Sequence, residues 1–395
     1  MPVVRWWVVA LAAAGVGCAP TALVRLAPAL DPAAEVRSSV FLVGDAGAAR
    51  PGDRVLAELS RQAKLAPRGS VVVFLGDNGY PRGIPPADDP GYPEARRRLL
   101  AQAAVADSSG LRVIFIPGNH DWDRHRETGW AQVEREGLLL RDYAADRRVA
   151  VELQPRGGCP GPVVTELSGV RLVAIDTQWW LHPGSRPGRA TAAVARSMPE
   201  PGTPCAMATE GAVLDSLRVI HRGGSDQITI MVGHHPLESH GEHGGHHPWT
   251  QYLFPLVPTP IARWAWLPIG WIYPLGRRLI GHPQDLAGAE NRRLRRALEG
   301  TFADGSPFIY ASGHDHSLEV IRRGPGRYYL VSGSGIEDHQ TAVGRGDSTA
   351  YASPEPGFMR VDLLGDRRVR LNVTVIDGQT GPRQDFAAWL TSSRD

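Results

Sequence analysis

The chain of 395 residues is short of lysine, cysteine and long apolar runs. Lys64 is its one lysine, and the 43 basic side chains, nearly all arginine, are balanced by 41 acidic ones to a formal charge of +2. A balance this even gives no field that would draw a polyanion, so no nucleic-acid partner is expected. The arginines alternate with acids, and the clusters at Arg96–Arg98 and Arg292–Arg296 read as solvated helix faces. Cysteine is limited to Cys18, Cys159 and Cys205. With Cys18 set aside, the other two could form one disulfide in an oxidising compartment. Both sit in Pro/Gly-rich loops (GGCPGP and GTPCAM), which does not suit a nucleophile.

Apolar length is also missing at the N-terminus. MPVVRWWVVALAAAGVGC has one charge, Arg5, followed by an uncharged stretch from Trp6 to Gly17. Spanning a bilayer takes about 20 residues, so the stretch suits the h-region of an export signal. Small residues followed by Cys18 resemble a bacterial lipoprotein signal, although Gly15 stands where such signals usually carry leucine. That resemblance implies export to the periplasm or cell envelope with a lipid on Cys18; ordinary secretion is the alternative. Residues 1–18 are thus read as a signal, the Ala/Pro-rich 19–36 as a tether, and 37–395 as the catalytic domain.

What the chain does have is a repeated pattern of a short β-branched or aromatic run, then Gly, Asp, His or Asn, then a helical stretch. The runs are VFLV (40–43), VVVFL (71–75), VIFI (113–116), LVAI (172–175), ITIMV (228–232) and FIYAS (308–312). Amphipathic segments such as 55–66 and 211–222 lie between them. Strands apolar on both faces alternating with helices predict an α/β protein whose sheets are covered by helices. GFMRVDLL and RVRLNVTVI, separated by GDR, predict a closing antiparallel hairpin. A Trp/Pro-rich insertion at 244–288, with Trp249, Trp264, Trp266 and Trp271, breaks the alternation. Its prolines and arginines exclude a simple spanning helix. It reads as a segment packed on the core, such as a lid; its Trp and Tyr would also suit a membrane interface.

The polar residues that end the runs are Asp45 (GDAG), Asp77 and Tyr80 (GDNGY), Asn119 and His120 (GNHD), His234 (GHHP), and His314 and His316 (GHDH). Carboxyl ends of strands in an open α/β sheet line the ligand crevice, so these side chains converge. Hard oxygen donors mixed with imidazole suit Fe, Mn or Zn, and there are more of them than one tetrahedral ion would use. Asp77 is the natural bridge between two ions because a carboxylate has two oxygens to share. Two cations about 3.5–4 Å apart can generate hydroxide at neutral pH and clamp a phosphoryl group. Hydrolysis of a phosphate ester is therefore the leading chemistry. A lone GNHD could be a turn and a lone His234 a core histidine; it is the ordered set that points to a centre.

This ordered set resembles the calcineurin-like metallophosphoesterases, across about Val40 to Ile336. The resemblance implies a four-layer α/β/β/α sandwich with two central mixed sheets. Gly47 stands where most branches have a metal-binding histidine, and Tyr80 supplies a replacement, as in the purple acid phosphatase branch. That likeness implies that Asp45, Tyr80 and His316 bind Fe(III). It also implies that Asn119, His234 and His314 bind a divalent ion (Fe, Zn or Mn), with Asp77 bridging. His120 would act beside the substrate. ESHGEHGG is similar to the tartrate-resistant type, where an EHG histidine binds or protonates the substrate, which points to His243. Trp122 departs from members that carry a further histidine there. Asp176 (IDTQ) is expected to fix a loop, and His235, His240, His246 and His247 to be surface residues or supports for the ligands, with a place at the entrance as the alternative. The expected activity is an exported, acid phosphatase-like phosphomonoesterase acting on a small phosphorylated substrate through a metal-held hydroxide. A phosphodiesterase or pyrophosphatase for nucleotide or lipid-linked substrates is the alternative, with a non-catalytic scaffold behind it. A lipidated Cys18 together with the insertion would add peripheral membrane association.

Overall fold

A computed structural model describes residues 35–189, 198, 205–222, 227–246, 282–302 and 308–390. The signal, Cys18, His247 and the four tryptophans of the insertion lie outside the described residues.

Two seven-stranded mixed sheets pack face to face. The first runs in the order β14 (Gly381–Trp389), β13 (Val369–Asp377), β12 (Gly357–Leu364), β1 (Val36–Val43), β2 (Val71–Phe74), β3 (Arg112–Phe115), β4 (Val151–Leu153). The second runs β11 (Thr349–Ser353), β9 (Leu318–Arg322), β10 (Arg327–Ser332), β8 (Phe308–Ser312), β7 (Ile228–Val232), β6 (Val170–Ala174), β5 (Val163–Glu166). Helices cover the outer faces, giving the four layers that the motif resemblance implies.

The continuous apolar runs follow from this layering, because successive side chains of a strand point to opposite faces and here both faces are dry. Val40 and Leu42 of β1 pack into the layer between the sheets with Val71, Val73, Leu172 and Ile230. Phe41 and Val43 face the other way and join Val55, Leu59 and Leu99 of the covering helices. Truncating a leucine as completely buried as Leu42 to alanine costs about 2–5 kcal/mol. The helix Arg54–Leu65 starts where the Asp53 carboxylate accepts from the N–H groups of Val55 and Leu56. It buries Val55, Leu59 and Ala63, one stripe at a spacing of four.

The predicted hairpin is present as β12 and β13, and β14 extends it to a third antiparallel strand. Pro382 is tolerated in β14 because that strand lies at the sheet edge. What matters for the site is polarity. β1, β2 and β3 are parallel neighbours, and so are β7 and β8, so their carboxyl ends emerge side by side in each sheet. The Gly44 N–H donates to the Ser332 carbonyl at 2.7 Å and the Gly335 N–H to the Gly44 carbonyl at 3.0 Å, which joins the carboxyl ends of β1 and β10 across the sandwich.

Candidate metal centre

The loops leaving these strand ends bend sharply. Asp45, Asp77 and His314 have φ of 60°, 54° and 73°, left-handed conformations that side chains other than glycine seldom adopt. Such strain, on the order of 1–3 kcal/mol per residue, persists where the surroundings over-determine it and gathers at functional sites. Two glycines make room for it. A Cβ on Gly118 would lie 2.3 Å from the Asp77 Oδ1 atom, and one on Gly47 would lie 2.5 Å from the Asp77 carbonyl oxygen and Gly79 nitrogen. No side chain, histidine included, fits at position 47 without moving the GDNGY loop. That loop is pinned by Asp121, whose carboxylate accepts from the N–H groups of Gly118 (2.7 Å), Gly79 (2.9 Å) and Asn78 (3.2 Å).

The structure brings Asp45, Asp77, Tyr80, Asn119, His234, His314 and His316 together, and their donor atoms fall into two groups. In the first, the Tyr80 Oη lies 3.0 Å from Asp45 Oδ1, 3.1 Å from Asp77 Oδ2 and 3.1 Å from His316 Nε2. In the second, Asn119 Oδ1 lies 2.9 Å from His234 Nε2 and 3.0 Å from His314 Nδ1, while His234 Nε2 lies 3.4 Å from Asp77 Oδ1. Asp77 thus turns one oxygen to each group. Bonds of about 2.1 Å to a shared ion would place neighbouring donors about 3.0–3.4 Å apart, so the spacings suit two cations.

Charge points the same way. Asp45 and Asp77 are buried, and among the described residues their ion-pair partners are imidazoles alone: His316 for Asp45, His120 and His234 for Asp77. Burial pushes the Asp77 carboxyl up, but His234, His120 and the His120 N–H outweigh it and hold it at about 2. Burial, with Asp45 and Asp77 beside it, raises the Tyr80 phenol well above its ordinary value. Burial, with His243 and His235 adjacent, depresses His314 far below the usual imidazole range and leaves it neutral, as a ligand must be. A buried pair of carboxylates needs cations, and the donor set fits two.

His120 and His243 stand beside the donors. The His120 Nδ1 donates to the Pro81 carbonyl at 2.7 Å, and the ring packs on Tyr80 with centroids 4.4 Å apart. His243 bonds Asp285 through Nδ1 at 2.8 Å and lies against His314 with centroids 3.9 Å apart. Both line a cavity of about 420 Å³ with Asp77, Asn119, Arg124 and His125. Asp176 fixes a loop as expected: it accepts from the Trp179 N–H and from Trp122 Nε1, each at 2.9 Å, so Trp122 is a wholly buried core residue. His235 does not line the entrance. It is buried behind His234 and bonded to Thr177 and Gln284, because β7 turns its next residue into the core.

The sequence reading missed four residues. Asp285 and Gln284 lie at the end of the insertion, where no strand announces them, and His125 lies beyond GNHD. His339 packs on His316 and Tyr80, with centroids 3.9 and 4.6 Å away. Its signal was available, since YYLVSGSGIEDH repeats the pattern of a strand followed by glycine and histidine.

No protein-family model and no curated protein matches the chain. Among solved structures it is similar to GAP50, the anchor in the inner membrane complex of Plasmodium. That likeness has 15% identity and a TM-score of 0.53 over 91% of this chain and 90% of that one. It is also similar to the purple acid phosphatase PPD1 from yellow lupin (Lupinus luteus) seeds, with 15% identity, a TM-score of 0.45 and coverage of 89% and 53%. A third similar structure is PhoD, with 11% identity, a TM-score of 0.48 and coverage of 88% and 71%. At such identities likeness speaks to fold, and function has to be argued from the site.

Proposed function

We propose that this chain, which has the metallophosphoesterase fold, is a phosphate ester hydrolase with a binuclear metal centre, acting as an exported phosphomonoesterase. The observation that carries the proposal is the division of buried donors into two groups that share Asp77. Asp45, Tyr80 and His316 would hold one ion, and Asn119, His234 and His314 the other. When bound, the pair would lower the pKa of water toward neutrality and neutralise charge on a phosphoryl group. Tyr80 favours Fe(III) in the first position, since a phenol whose proton is held this tightly yields it only to a strongly acidic ion.

The chain's own groups do the rest. Asp77 fixes the spacing of the two positions, and the His120 N–H donates to its Oδ1 at 2.8 Å. His243, oriented by Asp285, would as an imidazolium pass a proton to the leaving oxygen, with His120 lining the same cavity beside the substrate.

Protein loaded with iron plus zinc or manganese should hydrolyse p-nitrophenyl phosphate, and Asp77→Ala should abolish turnover; full activity in that variant would sink the assignment. GAP50 is an anchor in its own complex, which keeps a non-catalytic scaffold as the second reading; a loaded wild-type protein inert toward mono- and diesters would favour it. Export is supported by the N-terminal segment and by the Cys159–Cys205 disulfide, a bond that persists in oxidising compartments. Among the described residues no helix is long and apolar enough to cross a membrane. Membrane attachment through a lipid on Cys18 is tested by palmitate labelling of wild type against Cys18→Ala.

A further inference from the structure

The cavity changes character from floor to mouth. Its floor is formed by Asp77, Asn119 and His314, all buried, while Arg124 at the mouth is exposed. Arg124 is the one permanently charged cation among the described lining residues, and no described carboxylate lies within ion-pair distance of its guanidinium. The other lining groups beyond the donors are imidazoles, the Gln284 amide and Glu242, so no described aliphatic or phenyl side chain is there to greet an apolar leaving group.

The backbone holds Arg124 in this place at a cost. Asp123, Arg124 and His125 have φ of 51°, 50° and 74°, three consecutive left-handed residues without a glycine. Each is tied down: Asp123 accepts from the Thr128 hydroxyl, the Arg124 N–H donates to the Asn119 carbonyl at 2.9 Å, and the His125 ring contacts Gln284. The strained turn, locked to the same Asn119 that faces the metal positions, fixes the backbone from which the Arg124 side chain reaches the cavity. A guanidinium in that position matches the fork geometry of a phosphate or carboxylate.

We infer that the substrate carries a second oxyanion beside the scissile phosphate, and that Arg124 is the specificity-determining residue that holds it. The inference rests on the hydrolase reading for the word substrate, but the binding site itself does not depend on turnover. A diphosphate, a bisphosphorylated alcohol or a phosphorylated hydroxy acid has the required chemistry; a neutral monoester lacks the group that Arg124 reads.

The test uses three ligands that differ in the second group: methylphosphonate, phosphonoacetate and methylenediphosphonate. Each is titrated calorimetrically into metal-loaded wild type, Arg124→Ala and Arg124→Lys. Wild type should bind methylenediphosphonate at least about tenfold more tightly than methylphosphonate. Arg124→Ala should collapse that ratio and Arg124→Lys should keep part of it. A parallel gain for phosphonoacetate assigns the second group to any oxyanion, and its absence narrows the site to phosphate. A ratio unchanged in Arg124→Ala, or no gain in wild type, overturns the inference. Hydrolysis separates the two claims. Wild type should prefer pyrophosphate to glycerol 3-phosphate, and Arg124→Ala should lower kcat/KM about tenfold more for the former. A wild type that shows the binding ratio yet hydrolyses neither compound would reject the hydrolase reading and leave Arg124 as an anion clamp.

Discussion

Replacing Tyr80 by phenylalanine removes one oxygen and leaves the ring, with its packing on His120 and His339, in place. That oxygen has three neighbours at 3.0–3.1 Å, two of them carboxylate oxygens. Without metal the phenol is neutral, because burial and the two carboxylates push its pKa well above the ordinary value. It donates one charge-assisted hydrogen bond, and losing such a bond costs about 1.5–3 kcal/mol. A pKa raised on folding contributes stability that is fully present below about pH 10 and fades as pH rises beyond it. The metal-free variant should therefore melt about 2–4 °C lower at neutral pH.

With metal the balance reverses. Ligation requires the proton to leave, and a pKa above about 10 makes that step cost at least about 4 kcal/mol at pH 7. Fe(III) can meet this demand where a divalent ion meets it poorly, so the substitution should weaken iron binding far more than zinc binding. The assay is a visible spectrum beside metal analysis. Oxidised, iron-loaded wild type should be violet from tyrosinate-to-iron charge transfer, and Tyr80→Phe should be colourless. A wild type with stoichiometric iron and no colour, or an identical band in the variant, would refute the assignment of Tyr80.

Two further perturbations probe the scaffold. Burial, with Asp315 nearby, raises the Glu319 carboxyl to about 7, although it accepts from Ser239, Ser317 and the His240 N–H in the loop that carries His243. Its contribution to metal-free stability is present below about pH 4.3 and lost as pH rises through about 7, a change on the order of 3 kcal/mol. Urea midpoints for wild type and Glu319→Gln should therefore diverge between these pH values, and parallel curves would count against the burial argument. Replacing Cys159 and Cys205 by serine opens a loop with a sequence separation of 46, which chain entropy values at about 4 kcal/mol. A melting temperature within about 2 °C of wild type would show that the disulfide is not holding the segment before the helix Glu210–Arg222.

The sequence made the strands and the candidate donor residues legible for one shared reason. A strand buried on both faces is apolar at every position, so the first polar residue after it marks both the end of the strand and the mouth of the crevice. That is why 228–232 and 308–312 match β7 and β8 to the residue. The signal fails where strands are short or lie at an edge, as for β5 and β14, because alternating burial there imitates a loop. It also fails for residues supplied by loops. Gln284 and His125 reach the cavity, and Asp285 reaches His243, through tertiary packing, and nothing in their neighbours gives a period. Position 47 was legible as a missing ligand, but its physical reason, backbone atoms 2.5 Å from where a Cβ would sit, required coordinates.

The distribution of acids around Asp77 shows how the fold prepares a cation site in its own interior. Asp77, Asp121 and Glu136 are all buried, and the Asn78 side chain bonds both Asp121 and Glu136. If all three were ionised, their mutual repulsion would oppose folding. Burial raises Glu136 far above the carboxylate range, with Asp121 and Asp77 adding to the effect, and burial together with Asp77 raises Asp121. Asp77 alone is held low, because it faces His234 and His120. Negative charge is thereby kept on the carboxylate that faces the donors and suppressed on the two behind it. Cations entering the site would meet the low-pKa oxygens of Asp77, while the acids behind hold the GDNGY and GNHD loops in register through hydrogen bonds. This separation lets one buried cluster serve both as scaffold and as ligand.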